Sequence, residues 1–197
     1  MAFIRVVLTS AMLVFAACSQ ADIQQIGPPA TPVVIADSFA YPVGKTRFLT
    51  QAKDAKDEWY NALDFGEDNH LGEDWNKNSG GNTDCGEAVY SAANGIITYA
   101  KDAGPGWGNV VMIEHTMPDG RRLQSLYAHL QEIAKTTGEV RLREQIGKVG
   151  NANGRYLCHL HFEIRDESCP SWDMVFIGYS PVRTGWLDPS DLIDSRR

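Results

Sequence analysis

The chain is short of positive charge. Its 197 residues include 18 Lys or Arg against 25 Asp or Glu, a formal net charge of −7. That balance argues against nucleic acid as a partner, because phosphate backbones are held by a basic face. Cysteine is also scarce: there are four, at positions 18, 85, 158 and 169, with no CxxC or other tight pair. A thiolate metal site is thereby disfavoured. Long apolar runs are missing. The segment Val6–Ala17 is apolar but covers only twelve residues, where a membrane-spanning helix needs about 20. No second segment is long enough, and no internal repeat stands out.

Glycine and proline are plentiful, 18 and 9 respectively, and they imply many tight turns between short strands. Apolar residues make up 43% of the chain, enough for a sizeable core in one domain.

The N-terminus reads as an address. Arg5 is the only charge in residues 1–17, and the apolar run follows it, as in a secretory signal peptide. Phe15-Ala16-Ala17-Cys18 resembles the bacterial lipobox, in which the cysteine is lipidated and becomes the mature N-terminus. Phe15 stands where an aliphatic residue is usual, and ordinary cleavage near Ala17 is the alternative. Either way the protein is exported. Lipidation of Cys18 would anchor it to a membrane of the cell envelope. Residues 18–38 are polar and carry three prolines, which reads as an anchor and tether. Residues 39–197 form the domain.

Along that domain the spacing predicts a strand at Phe39–Gly44 and a short helix or loop at Asp54–Asn61. The Gly/Asn-rich stretch Asn78–Gly86 is a loop. A strand at Glu87–Ala93 is expected to turn at Asn94-Gly95 into Ile96–Ala100 as a hairpin. Asn109–His115, Arg122–Leu130 after the Asp119-Gly120 turn, Glu144–Val149 and Leu157–Arg165 read as further strands. Short strands with tight turns predict a mainly β fold, an antiparallel sheet or sandwich rather than βαβ units. A turn of helix capped by Asp188 or Ser190 is expected near the end.

Chemistry concentrates in five histidines. His159 and His161 lie in an apolar run, Leu157–Ile164. Strand side chains alternate, so the two imidazoles share one face while Leu160 and Phe162 enter a core. Two imidazoles side by side suit a metal site or acid/base work. His70 and Asp74 lie four apart, but Gly72 between them opposes a helix. A loop entering a strand can still aim both at one point. His115 ends an apolar strand and reads as structural, and His129 taken alone reads the same way. Together the set offers imidazole and carboxylate, the donors that suit Zn²⁺.

These motifs resemble the lysostaphin-type zinc metallopeptidases, which cut peptides in bacterial peptidoglycan. The matching features are His70-x-x-x-Asp74, Tyr127–Leu130 (YAHL) and His159–Glu163 (HLHFE), in that order and rough spacing. GEAVYSAANGIITYA, GWGNVVMIEH and IGKVGNANG extend the likeness over residues 66–165. The resemblance implies an antiparallel β-sheet fold of the duplicated hybrid motif kind, with a groove over one face. It implies His70, Asp74 and His161 as zinc ligands and His129 and His159 as the catalytic pair. His115 matches a common histidine outside the ligand set. The partner implied is peptidoglycan. Non-catalytic relatives that bind the wall or activate amidases typically lack ligand residues, and none is missing here. Glycine turns at Gly104–Gly108 and Gly150–Gly154 are expected to wall the groove, since glycine lets a backbone approach a ligand closely. Among the cysteines, Cys158 with Cys169 is the preferred disulfide. Cys85 with either partner, or three free thiols, remain open.

Overall fold

The computed structural model describes residues 34–44, 59–175 and 177–197. Cys18, the signal segment and most of the tether fall outside the described residues. The described strands are β1 (Trp59–Leu63), β2 (Glu73–Lys77), β3 (Ala88–Tyr90), β4 (Gly95–Asp102), β5 (Asn109–Thr116) and β6 (Arg122–Leu130). They continue as β7 (Glu132–Ile133), β8 (Gly138–Val140), β9 (Gln145–Lys148), β10 (Leu160–Asp166) and β11 (Trp186–Leu187). A closing helix, α1 (Pro189–Asp194), starts at Asp188, whose side chain accepts from Asp191 N at 3.0 Å. Every strand pairing is antiparallel.

The large sheet runs β1-β2-β10-β6-β5-β4-β8, with β11 added beside β10. A small sheet, β3-β9-β7, lies apart from it. The main apolar core joins one face of the large sheet to the small one. It contains Tyr127, Leu160, Phe162 and Ile164 from the first and Val89 and Ile146 from the second. Each such large side chain, fully withdrawn from water, contributes roughly 1.5–3 kcal/mol. Alternation then dictates the opposite face. Along β10 it carries His161, Glu163 and Arg165 in a row, and His159 immediately precedes the strand.

Four sequence expectations change. Phe39–Gly44 is not a strand, although Phe39, Tyr41 and Val43 are buried. Its hydrogen bonds are scattered, Phe39 N to Arg196 O, Ala40 N to Ala92 O and Tyr90 N to Pro42 O, so no ladder forms. Trp59–Asn61 is strand rather than helix or loop. Asn94-Gly95 makes no hairpin, because β3 pairs with β9 while β4 pairs with β5 and β8. The chain crosses there from one sheet to the other. Asn94 holds the crossing, accepting from Leu142 N at 2.8 Å and donating to Ile35 O at 3.0 Å. Ile35 and Ala36, expected in the tether, lie against Thr116 at the end of β5.

Candidate functional site

Each putting of a polar group on this face has a local cause. His70 leaves a tight 3-10 turn, Glu67–Asn69, in which Asp68 and Asn69 adopt left-handed φ of 48° and 66°. His70 is held from both sides. Leu71 N donates to Gly178 O at 2.9 Å, and Ser180 N to Asn69 O at 2.8 Å. Asp74 enters β2 directly opposite His161 of β10. Gly72 sits between them because nothing larger fits: a Cβ there would lie 2.5 Å from Phe162 O and 3.1 Å from His161 Cε1.

The result is a cluster of three donor atoms. His70 Nε2 lies 2.9 Å from His161 Nδ1, His161 Nδ1 lies 3.0 Å from Asp74 Oδ1, and His70 Nε2 lies 3.4 Å from Asp74 Oδ1. His70 is fully buried, and its Nδ1 has no hydrogen-bond partner. Burial disfavours an ionised Asp74, but hydrogen bonds from His161 and His70 outweigh it and hold the carboxyl well below its usual range. Burial likewise pulls the His161 pKa down, yet the Asp74 and Glu163 carboxylates raise it to about 9. The two carboxylates thus favour positive charge at His161, where the three donors converge. A small cation of higher charge suits the same place.

The other two imidazoles stand beside the cluster. His159 Nε2 is 3.7 Å from Asp74 Oδ2. The His129 ring centroid is 4.7 Å from that of His159 and 5.6 Å from that of His161. His129 adopts a left-handed φ of 63°, uncommon for a residue with a side chain. Trp107 O compensates by accepting from both His129 N, at 2.9 Å, and His129 Nδ1, at 3.1 Å. Gly150 must be glycine at this point, because a Cβ would collide with His129 O and the Gln131 backbone. Burial, then the neighbouring His161 and His159, lower the His129 pKa to about 3. His129 is thus neutral at physiological pH. His129 Nδ1 faces a carbonyl oxygen, and so does His159 Nδ1, 2.9 Å from Leu157 O. A carbonyl only accepts, so Nδ1 carries a proton in both rings, and in neutral His129 Nε2 keeps a lone pair.

All five residues expected from the sequence thus meet at one place. An open cleft of about 270 Å³ exposes Asp74, His129, His159 and His161, walled by Gly106, Trp107, Tyr156, Gly178 and Tyr179. Of the two glycine turns expected to wall it, Gly104–Gly108 contributes Gly106. Gly154 lies in an adjoining depression with Asp102, Gly104 and Arg155. His115 is elsewhere, hydrogen-bonded to Asn94 O at 2.8 Å and Ser125 Oγ at 2.7 Å.

The sequence profile of peptidase family M23 matches residues 69–172, more than half of the chain and all five of these residues. The chain belongs to peptidase family M23. Its antiparallel sheets are those of that family's fold. A peptidase M23 of Pseudomonas aeruginosa superposes with a TM-score of 0.51 at 20% identity, over 82% of this chain and 52% of that one. Among sequences, the DD-carboxypeptidase/endopeptidase Mpg of Neisseria meningitidis is 39% identical over 85 residues, 43% of this chain and 19% of Mpg. The outer membrane antigenic lipoprotein B of Histophilus somni is 41% identical over 81 residues, 41% of this chain and 23% of that protein. The chain therefore spans about a fifth of the length of these relatives.

Sequence reasoning missed three parts of this M23 site. Tyr179 lies beyond the matched stretch, yet its ring stacks 5.0 Å from His70. Only the pairing of residues 69–71 with 178–180 brings it there. The Glu163–Arg165 pair was visible only as letters of a motif. The disulfide is Cys85–Cys158, with Cα atoms 5.2 Å apart, and not Cys158–Cys169. Asn82 explains the choice: its Oδ1 accepts from Cys158 N at 2.9 Å, laying the Asn78–Gly86 loop against the start of β10. Cys169 is instead a buried free thiol packed with Leu71 and Trp186.

Proposed function

We propose that the protein is an exported, zinc-dependent endopeptidase that cleaves the peptide part of bacterial peptidoglycan. His70, Asp74 and His161 would hold the metal, and His129 and His159 would be the catalytic pair. The observation that carries this reading is the convergence of three donor atoms, 2.9 to 3.4 Å apart, on the floor of an open cleft with two more imidazoles at its side. Tetrahedral zinc with N and O ligands at ~2.0–2.1 Å has ligand–ligand edges of about 3.3–3.4 Å, close to those separations. Held by three protein residues, such a metal would keep a position for water or substrate, as catalytic zinc sites do.

Bound there, zinc supplies Lewis acidity, polarising a scissile carbonyl and making water a better nucleophile. The protein's own groups supply the proton traffic. Through Nε2, His129 and His159 would accept a proton from the attacking water and return one to the leaving amine. Burial keeps His129 neutral, so its Nε2 lone pair is not already taken by a proton. Trp107 O fixes that ring, and Leu157 O fixes His159. Gly106 and Gly178 keep the walls bare, so an extended peptide with small side chains can lie against the metal.

The name of the Neisseria relative makes D,D-peptide bonds the first substrate to try. The lipoprotein name of the Histophilus relative supports anchoring through Cys18. The deciding experiment incubates the zinc-loaded protein with purified peptidoglycan and identifies released fragments by mass spectrometry. Fragments with new peptide termini, absent after chelation, are expected. Intact peptidoglycan from a protein that binds zinc stoichiometrically would mark a non-catalytic wall-binding or amidase-activating protein instead.

A further inference from the structure

Behind His161 lies a carboxylate that the reaction itself does not use. Glu163 is two residues along β10 on the same face and is completely buried. Its Oε1 lies 2.9 Å from His161 Nε2. Its Oε2 accepts from Arg165 Nε at 2.8 Å and from Trp186 Nε1 at 2.8 Å, with Arg165 Nη2 2.7 Å away. Arg165 is also fully buried and is pinned through Nη1 to Ser171 O at 2.8 Å and Met174 O at 2.7 Å. The carboxylate thus has two unequal ends. One oxygen is saturated by fixed donors, and the other is left for one imidazole nitrogen.

We propose that Glu163, locked by Arg165 and Trp186, is the positioning residue that turns His161 so that Nδ1 points at His70 Nε2 and Asp74 Oδ1. An ionised carboxylate only accepts, so His161 Nε2 must carry a proton and donate it to Oε1. The ring then has one nitrogen left for a metal, and it is the one already in the cluster. The ring plane is set by a buried ion pair rather than by solvent. Such outer carboxylates fix the tautomer of a ligating imidazole and raise its basicity, and their loss commonly weakens metal binding 10–100-fold. Trp186 adds a second consequence. It belongs to β11, beyond the stretch matched by the family profile. The C-terminal segment therefore reaches the metal cluster through the Trp186–Glu163–His161 chain of hydrogen bonds. Deleting a single indole N–H should be felt at a site it does not touch.

This inference rests on the zinc reading, and its test separates the two. Zinc affinity is measured by competition with a chromophoric chelator on the purified wild type, Glu163→Gln, Trp186→Phe and Ile164→Val. The last variant trims the core on the opposite face of β10. The His161 side chain of the zinc-loaded proteins is followed by long-range ¹H–¹⁵N correlation. Wild type should bind one zinc and show a protonated, slowly exchanging Nε2. Glu163→Gln keeps the volume but sets an amide among donors, and should bind zinc 10–100-fold more weakly with the Nε2 proton lost or fast-exchanging. Trp186→Phe keeps an aromatic ring without the N–H and should weaken binding several-fold, and it decides the matter if Glu163→Gln fails to fold. Ile164→Val should bind as wild type does. Affinities of Glu163→Gln and Trp186→Phe within twofold of wild type would overturn the inference, as would equal weakening by Ile164→Val. Failure of the wild type to bind zinc would overturn the zinc reading beneath it.

Discussion

Two groups of histidine sit on the same sheet and have opposite fates. At one end, His115 is fully enclosed. Its two nitrogens meet Asn94 O and Ser125 Oγ, Ser125 Oγ donates to Tyr127 Oη at 2.9 Å, and Tyr127 Oη accepts from Ala92 N at 2.8 Å. Phe39 covers the ring edge-on, with centroids 5.6 Å apart. Every polar atom of that chain has a partner, and His115, Ser125, Tyr127 and Ala92 are all fully buried. At the other end, His70, His161, His129 and His159 crowd around one carboxylate beside open space, and His70 Nδ1 is left without a partner. A Ser–His pair at 2.7 Å looks like the start of a nucleophilic site, yet burial and full hydrogen bonding make it a strut. Function is marked by convergence of several titratable groups on a cleft, not by one well-placed imidazole.

The largest contrast is expected from deleting ligands. His161→Ala should abolish both stoichiometric zinc and peptidoglycan cleavage, while His115→Gln should retain both. Metal analysis of the purified variants checks this, and zinc retained by His161→Ala would undo the ligand assignment. Next in size is His159→Ala. It should keep most of its zinc and lose ~10²–10⁴-fold in turnover, the usual worth of general acid/base help. Equal zinc loss in His159→Ala and His161→Ala would erase the distinction between proton carrier and ligand.

The motifs behind these predictions were legible in the sequence, as was the mainly β, antiparallel architecture. Strand alternation alone placed His161 opposite the face of Leu160 and Phe162. What the sequence hid were contacts between distant segments. Asn94-Gly95 has the composition of a hairpin turn, yet Gly95 is there for close approach, since a Cβ would lie 2.5 Å from Glu114 O on β5. The pull of Asn82 on Cys158 is similarly invisible across 76 residues. Short spacing favoured Cys169 as the partner of Cys158, but Cys169 lies in a separate apolar cluster.

That disulfide gives the third prediction. Closing a loop of 73 residues removes enough denatured-state entropy to be worth ~4 kcal/mol. The double variant Cys85→Ser/Cys158→Ser should lose stability of that order in denaturant titration. Because Cys158 adjoins His159, turnover should fall as well. Non-reducing peptide mapping that found Cys158 joined to Cys169 would contradict the structure directly.

The smallest effect belongs to the closed histidine. Burial lowers the His115 pKa from 6.5 to about 4, against a favourable hydrogen bond to Asn94 O. Between those values the unfolded chain binds a proton that the folded chain refuses, so stability is complete above pH 6.5 and declines as the pH falls towards 4. The loss from this one group is ~3 kcal/mol at ~1.4 kcal/mol per pH unit. His115→Gln should flatten that part of the stability–pH curve, whatever its absolute stability. An unchanged slope would mean that His115 is not the group responsible.

One measurement addresses the central claim most directly: anomalous diffraction at the zinc absorption edge from crystals of the zinc-loaded protein. A single peak bounded by His70 Nε2, Asp74 Oδ1 and His161 Nδ1, with none near His115, is the predicted result. Zinc bound elsewhere, or no peak among those three atoms at full zinc occupancy of the sample, would contradict it.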